Sequence, residues 1–320
     1  MLDRELLLEM YRRMVRIRRF EEAAIDLFKR GMLKGSVHPY IGQEASGVGI
    51  CLALRRDDLI TGTHRSHGHM LAKGSDPKVL MAEIRGRATG CCRGFGGSMH
   101  VADLTVGSLG ALAVVGAGLP LAVGAGLGFR MQGKDSVAVA FFGDGASNTG
   151  NFHEALNMAS IWDLPVVFAL ENNHWAVSTR VECSVKVEDL SLRAASYGIP
   201  GVRVDGNDVV AVHQAAVEAV RRARSGSGPT LLVTETYRIE GHYAGEPQVY
   251  RTRAEVDEWR QPERDPIARF HGYCAGKGIT PEELDAIASE VRTEIEGALR
   301  FAEESPQPDP STDLNDYVYA

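Results

Sequence analysis

The chain has 320 residues, enough for one large α/β domain or two modest ones with a full-sized core. Lys and Arg number 35 against 42 Asp and Glu, a net charge of −7, so it lacks the positive field of a non-specific nucleic-acid binder and no nucleic-acid partner is expected. Hydrophobic content of 44 % and 35 glycines without a collagen-like period exclude disorder and fibres.

Leu6, Met10, Met14, Ile17, Phe20, Ala24 and Leu27 recur at helical spacing, which predicts an N-terminal helix over residues 3–30, capped by Asp3 and stopped by Gly31. Its arginines (Arg12, Arg13, Arg16, Arg19) read as a solvated face, and with Arg4, Glu5 and Glu9 they break up any secretory signal. A loop with His38, a helix from Gly42-Gln43-Glu44-Ala45, a short strand at 59–61 and a turn at 64–68 come next, followed by helical pattern at 77–87. Residues 104–129 carry no charge and could span a bilayer by length. Their seven glycines and Pro120 argue instead for a closely packed buried segment with a small-residue helix at 116–130, so no membrane partner is expected.

Residues 137–142 and 164–170 are continuous apolar runs of strand length, the pattern of parallel strands buried on both faces. With helices at 151–162 and 208–224 and strands at 202–204 and 230–234, they form a β-α-β series. The fold class expected is α/β, an open parallel sheet with helices on both faces and a ligand site at the carboxyl ends of the strands. One domain is expected over residues 1–320, ending in a C-terminal helical segment and tail, 254–320, weakly ordered from Ser305 onward. The loop 239–253, with Gly241, Gly245 and Pro247, is expected to be flexible in the empty protein. The five cysteines (Cys51, Cys91, Cys92, Cys183, Cys274) are odd in number and contain no Cys-x-x-Cys, which fits reduced thiols and a cytoplasmic setting. Cys91 and Cys92 read as buried thiols.

Asp144 and Asn173 each follow an expected strand, which would bring a carboxylate and an amide carbonyl to one crevice. With a backbone carbonyl, phosphate oxygens and water, such hard oxygen donors suit Mg²⁺. Gly143 and Gly145 would let backbone amides approach a phosphate, and the helix that follows points its positive end there. Alone, Gly143-Asp144-Gly145 is an ordinary turn; 26 residues later stands Asn172-Asn173. Together they resemble the thiamine diphosphate signature.

Gly42-Gln43-Glu44-Ala45, His64-Arg65-Ser66-His67-Gly68, Gly96-Gly97-Ser98-Met99-His100, Arg203-Val204-Asp205-Gly206 and Gly241-His242 extend the likeness over nearly the whole chain. They resemble the alpha subunit of the decarboxylating component of 2-oxo acid dehydrogenase complexes, in the pyruvate and acetoin dehydrogenase branch. The resemblance implies a thiamine diphosphate-binding fold, with Mg²⁺ held by Asp144, Asn173 and the backbone carbonyl of Trp175. It implies diphosphate contacts from His64, Arg65, Gly143, Gly145 and Ala146, Val115 beside the aminopyrimidine, and active-site roles for His38 and His242. Ala113 departs from the glycine common near the pyrimidine, and Tyr243 replaces a serine phosphorylated in mitochondrial relatives.

The resemblance further implies an α2β2 heterotetramer in which a beta subunit supplies the carboxylate that pairs with the pyrimidine. Pyruvate or acetoin would be the small-molecule substrate, and the acyl unit would pass to a lipoyl-bearing acyltransferase. The alternatives are a branched-chain 2-oxo acid dehydrogenase alpha subunit and a noncatalytic regulatory subunit that binds Mg²⁺ and diphosphate.

Overall fold

The computed structural model describes residues 2–33 and 35–313. Helix α1 (Arg4–Lys29) is capped by Asp3, whose side chain accepts from the Leu6 amide. It is followed by α2 (Glu44–Cys51), β1 (Leu59–Gly62), α3 (Ser66–Lys73) and α4 (Pro77–Ile84). Next come β2 (Ser108–Ala111), α5 (Gly118–Met131), β3 (Ala138–Gly143), a 3-10 turn (Asp144–Asn148), α6 (Gly150–Ile161) and β4 (Val166–Asn172). A small ribbon, β5 (Trp175–Ala176) with β6 (Thr179–Arg180), leads to α7 (Val181–Ser184), β7 (Gly201–Asp205), α8 (Val209–Arg224) and β8 (Thr230–Glu235). The chain then forms α9 (Arg253–Trp259), α10 (Pro266–Ala275), α11 (Pro281–Glu304) and α12 (Pro310–Asp313).

Six strands pair in parallel in the order β2-β1-β3-β4-β8-β7, the open sheet that the alternating pattern predicts. Side chains of a strand alternate between its faces, and two apolar layers result. Val139, Phe141, Val167, Ala169 and Leu232 join a core with α1, α2, α4, α8 and α11, whereas Ala140, Phe142, Phe168, Leu170 and Val233 pack under α5 and α6. Each large side chain so buried stabilises the fold by roughly 1.5–3 kcal/mol, which is why β3 and β4 carry almost no polar residue. Edge strand β7 is half exposed.

Four features differ from the sequence expectation. The turn at 64–68 is the start of α3, with Arg65 at its N-cap. Strand β2 went unforeseen because its four residues, Ser-Leu-Gly-Ala, carry no strand pattern and are ordered by pairing with β1. The α1 arginines are not merely solvated: Arg12 reaches Glu290 at 2.7 Å and Arg16 reaches Glu294 at 2.8 Å, tying α1 to α11. The start of the tail is docked, with the Pro306 carbonyl accepting from the Ala88 amide at 3.0 Å and Thr89 donating to the Ser305 hydroxyl at 2.6 Å. Residues 314–320 of that expected weakly ordered tail lie outside the described residues. Within the uncharged stretch only α5 is a long helix, and among the described residues no helix is long and apolar enough to cross a membrane.

Candidate functional site

Strands β1, β3 and β4 deliver Gly62, Gly143 and Asn172 to one edge of the sheet, and a cleft opens beyond them. It is lined by His64, Arg65, Val115, Gly143, Asp144, Gly145, Ala146, Asn173, Trp175 and His242, all anticipated from sequence, together with Gln43, Glu171 and Val177. His38 does not line the cleft itself. Its ring packs behind two that do, 4.8 Å from His64 and 4.9 Å from His242.

Asp144 begins the 3-10 turn after β3 and is buried. Among the described residues its Oδ2 has no hydrogen-bond partner, and burial pushes its carboxyl up to about 6 against the stabilising amide of Asn173 and the charges of Arg238 and Arg65. A buried carboxylate oxygen without a donor is costly unless a cation meets it. Asn173 orients its amide by donating to Gln43 Oε1 at 3.1 Å and accepting from the Trp175 amide at 3.2 Å. The Trp175 carbonyl accepts from Arg238 at 3.2 Å and keeps a second lone pair. These hard oxygen donors fit a small divalent cation.

Gly145 is glycine for a packing reason: a Cβ there would lie 2.6 Å from that of Ala176. Gly143 has ordinary extended backbone, and a Cβ there would meet only the Glu171 carbonyl oxygen at 4.0 Å, so neither its conformation nor packing within the chain requires glycine.

The opposite wall is cationic. Arg65 is buried, donates to the Pro39 carbonyl at 2.9 Å and to His242 Nδ1 at 3.1 Å, and has no carboxylate within ion-pair reach among the described residues. Burial, reinforced by Arg238, pulls its pKa down to about 9. Such a guanidinium gains most from an anionic ligand. The imidazoles of His38, His64 and His242 lie 4.8–5.1 Å apart beside it. Burial first and Arg65 second lower His38 to about 3 and His242 to about 4, and drive His64 well below its ordinary value. All three are neutral at pH 7. Because Arg65 can only donate, its bond to Nδ1 leaves the His242 proton on Nε2.

The histidines of the 64–69 turn serve three separate ends. His64 joins the trio, His67 contacts Glu21 at 3.3 Å and Ser98 at 3.0 Å, and His69 meets Glu171 at 2.9 Å. Glu44 is a structural helix-terminal carboxylate, accepting from Arg18 at 2.5 Å and the Gly42 amide at 2.9 Å.

Arg238 escaped the sequence reading. It is fully buried just past β8, donates to the Trp175 and Val177 carbonyls (3.2 and 2.7 Å) and to Tyr250 at 2.6 Å, and its Nε has no partner among the described residues. The signal was available: a charge three residues past a buried strand, close to the logic that found Asp144. By gripping Val177 it fixes a β-branched residue at φ 52°, a conformation that side chains of this kind avoid.

The loop 239–253 is tied down, contrary to expectation. Arg251 is buried and donates to the carbonyls of Arg238, Ile239 (3.0 Å) and Glu240 (2.7 Å), while Glu246 accepts from the His242 amide and Tyr250. Removing this clamp frees three carbonyls at once, so Arg251→Ala is expected to speed tryptic cleavage after Arg253 at least about tenfold, each lost charged hydrogen bond being worth roughly 1.5–3 kcal/mol. Peptide mapping by mass spectrometry checks this, and an unchanged rate would show that the loop is held by other contacts.

The dehydrogenase E1 component family model matches residues 12–311. The chain is 48 % identical over 315 residues to the alpha subunit of acetoin:2,6-dichlorophenolindophenol oxidoreductase of Bacillus subtilis, covering 98 % of this chain and 94 % of that one. Identity to the same-named subunit of Cupriavidus necator is 48 % over 316 residues, with 98 % and 95 % covered. To the pyruvate dehydrogenase E1 component subunit alpha of Rhizobium meliloti it is 45 % over 305 residues, with 95 % and 87 % covered. With the match running through strands, cleft and C-terminal helices alike, the chain belongs to the dehydrogenase E1 component family.

Proposed function

We propose that this chain is the alpha subunit of a thiamine-diphosphate-dependent dehydrogenase that cleaves pyruvate or acetoin and passes the acyl unit to the lipoyl group of an acyltransferase. The observation that carries the site assignment is the pairing, in one cleft, of the orphaned buried Asp144 carboxylate with the carboxylate-free Arg65 guanidinium. A metal-bound diphosphate satisfies both: Asp144, the Asn173 amide oxygen and the Trp175 carbonyl would hold Mg²⁺, and Arg65 and His64 would take phosphate oxygens. Gly145 and Ala146, at the start of the turn after β3, line the same cleft, and their amides would take further phosphate oxygens. Thiamine diphosphate, when bound, supplies the carbon nucleophile and the electron sink for cleavage next to a carbonyl.

The chain's own groups position and desolvate. Val115, half exposed at the mouth of the cleft, offers apolar surface for the pyrimidine end. His242, neutral with its proton on Nε2, donates a hydrogen bond to a substrate oxygen, and His38 and His64 hold its ring in place. The relatives' printed names support a beta partner, since both kinds are alpha subunits. We place the reaction in an α2β2 assembly in the cytoplasm, where the free thiols of all five cysteines persist.

The test is reconstitution. The purified chain alone is expected to give no turnover of pyruvate or acetoin with 2,6-dichlorophenolindophenol as acceptor, and to gain it when co-expressed with a beta subunit, thiamine diphosphate and Mg²⁺. Robust turnover without a partner would refute the two-subunit reading. Cofactor binding by the assembly without turnover of either substrate would refute the assigned reaction and favour a regulatory subunit.

A further inference from the structure

Away from the cleft, Cys91 and Cys92 are not buried, which corrects the sequence expectation. Both are part-exposed and line a separate groove with Arg13, Arg55, Arg56 and Lys73. Their sulfurs lie within 4.8 Å of each other. The Cys92 sulfur accepts from the Ala102 amide at 3.1 Å. That amide favours the Cys92 thiolate, whereas the sulfur's contacts with the His100 and Ala102 carbonyls (3.8 and 3.5 Å) and the nearby Glu83 and Asp103 carboxylates favour the thiol, so the sulfur is poised between the two forms. The neighbouring Cys91 thiol and the Ala102 amide lower the Cys92 pKa against burial and the Glu83 and Asp103 charges, while that of Cys91 is raised. The other thiols offer no such pair: Cys51 and Cys274 are buried and Cys183 stands alone on the surface.

Glu83 lies close enough to the two sulfurs to suggest a metal cluster. Its carboxylate is already spent. One oxygen accepts from the Cys92 and Gly94 amides (2.8 and 2.9 Å) and the other from those of Gly96 and Gly97 (2.8 and 3.0 Å), so it anchors the glycine-rich segment rather than a cation.

We propose that Cys91 and Cys92 form a two-electron thiol switch, a modification site for hydroperoxides. The Cys92 thiolate attacks the peroxide O–O bond, giving Cys92 sulfenic acid and releasing hydroxide, or an alkoxide from an organic hydroperoxide. The Cys91 thiol then displaces water from that sulfenic acid to close a Cys91–Cys92 disulfide, the peroxide having been reduced by two electrons. Neighbouring residues have Cα atoms only about 3.8 Å apart, below the usual disulfide range, so the bond is strained and readily reduced by a small thiol. Reversibility suits a switch better than a staple.

The disulfide also has a mechanical consequence. Closing it draws the Cys92 sulfur away from the Ala102 amide and pulls on the segment hung from Glu83. That segment carries Ser98, whose hydroxyl meets His67 at 3.0 Å, two residues from Arg65 in the cleft.

The test treats the full chain with hydrogen peroxide at pH 7, followed by intact-mass measurement and peptide mapping. A loss of about 2 Da, mapped to Cys91–Cys92 and reversed by dithiothreitol, is expected, at a rate about tenfold above that of Cys183 modification. Cys91→Ser, lacking the resolving thiol, is expected to advance to the Cys92 sulfinic acid instead, and Cys92→Ser to lose the fast reaction. Hydrogen exchange at residues 94–102 is expected to rise in the oxidised protein. Cys92→Ser reacting as fast as the parent, or oxidation of the pair no faster than Cys183, would overturn the proposal; unchanged exchange would overturn its mechanical part.

Discussion

Asp144→Asn is expected to raise the melting temperature of the empty protein at pH 7 and to abolish its Mg²⁺-dependent affinity for thiamine diphosphate. Burial lifts the Asp144 carboxyl from 3.8 to about 6, so the folded state holds this proton more tightly than the unfolded chain. The group therefore weighs nothing against folding below the unfolded value. Its penalty grows as pH rises from there to about 6, then levels off at up to about 3 kcal/mol, the equivalent of about two pKa units. Asparagine removes the charge and keeps an oxygen for the Asn173 amide. At pH 7 the gain is several degrees by the usual scaling, and it fades below about pH 4. The same change removes the one anionic ligand of the proposed metal site. Thermal melts between pH 4 and 8, with calorimetry of the assembled complex with and without Mg²⁺, measure both halves. Retained cofactor affinity would sink the metal assignment, and an unchanged melting temperature would show that Asp144 is neutralised in the empty protein.

Arg65→Met should weaken diphosphate binding at least about 100-fold while leaving the empty fold as stable as before. Methionine keeps most of the volume, so no large cavity forms. A guanidinium whose pKa is pulled down to about 9 is a cation that the empty site holds at a cost, and its removal offsets the two hydrogen bonds lost to Pro39 and His242. Two charge-assisted bonds to phosphate oxygens, at roughly 1.5–3 kcal/mol each, account for the expected loss. Titration of the assembled complex with thiamine diphosphate in Mg²⁺ reads the affinity and a melt reads the fold. An affinity within a few-fold of the parent would move the phosphate role to Arg238. A large drop in melting temperature would make Arg65 a structural residue.

These two substitutions share a logic. Asp144 and Arg65 are buried charges of opposite sign, neither neutralised by the fold around it. Each destabilises the empty protein, which is the usual signature of a site prepared for a ligand.

The sequence by itself determined what depends on local pattern. Runs 137–142 and 164–170 have the continuous apolar pattern and length of doubly buried parallel strands, and β3 and β4 form there. Once those strands are parallel neighbours, with Gly143 opposite Glu171, Asp144 and Asn173 leave the sheet at the same end, one residue apart in register. Tertiary structure decided whatever depends on distant segments meeting. β2 exists because β1 offers it a pairing edge, and the clamp on loop 239–253 exists because Arg251 finds carbonyls eleven to thirteen residues back. No spacing rule shows that His38, His64 and His242 share a corner or that Arg65 is left without a carboxylate. Their low pKa values arise from burial and from one another's company, and both come into being only when the chain has closed around them.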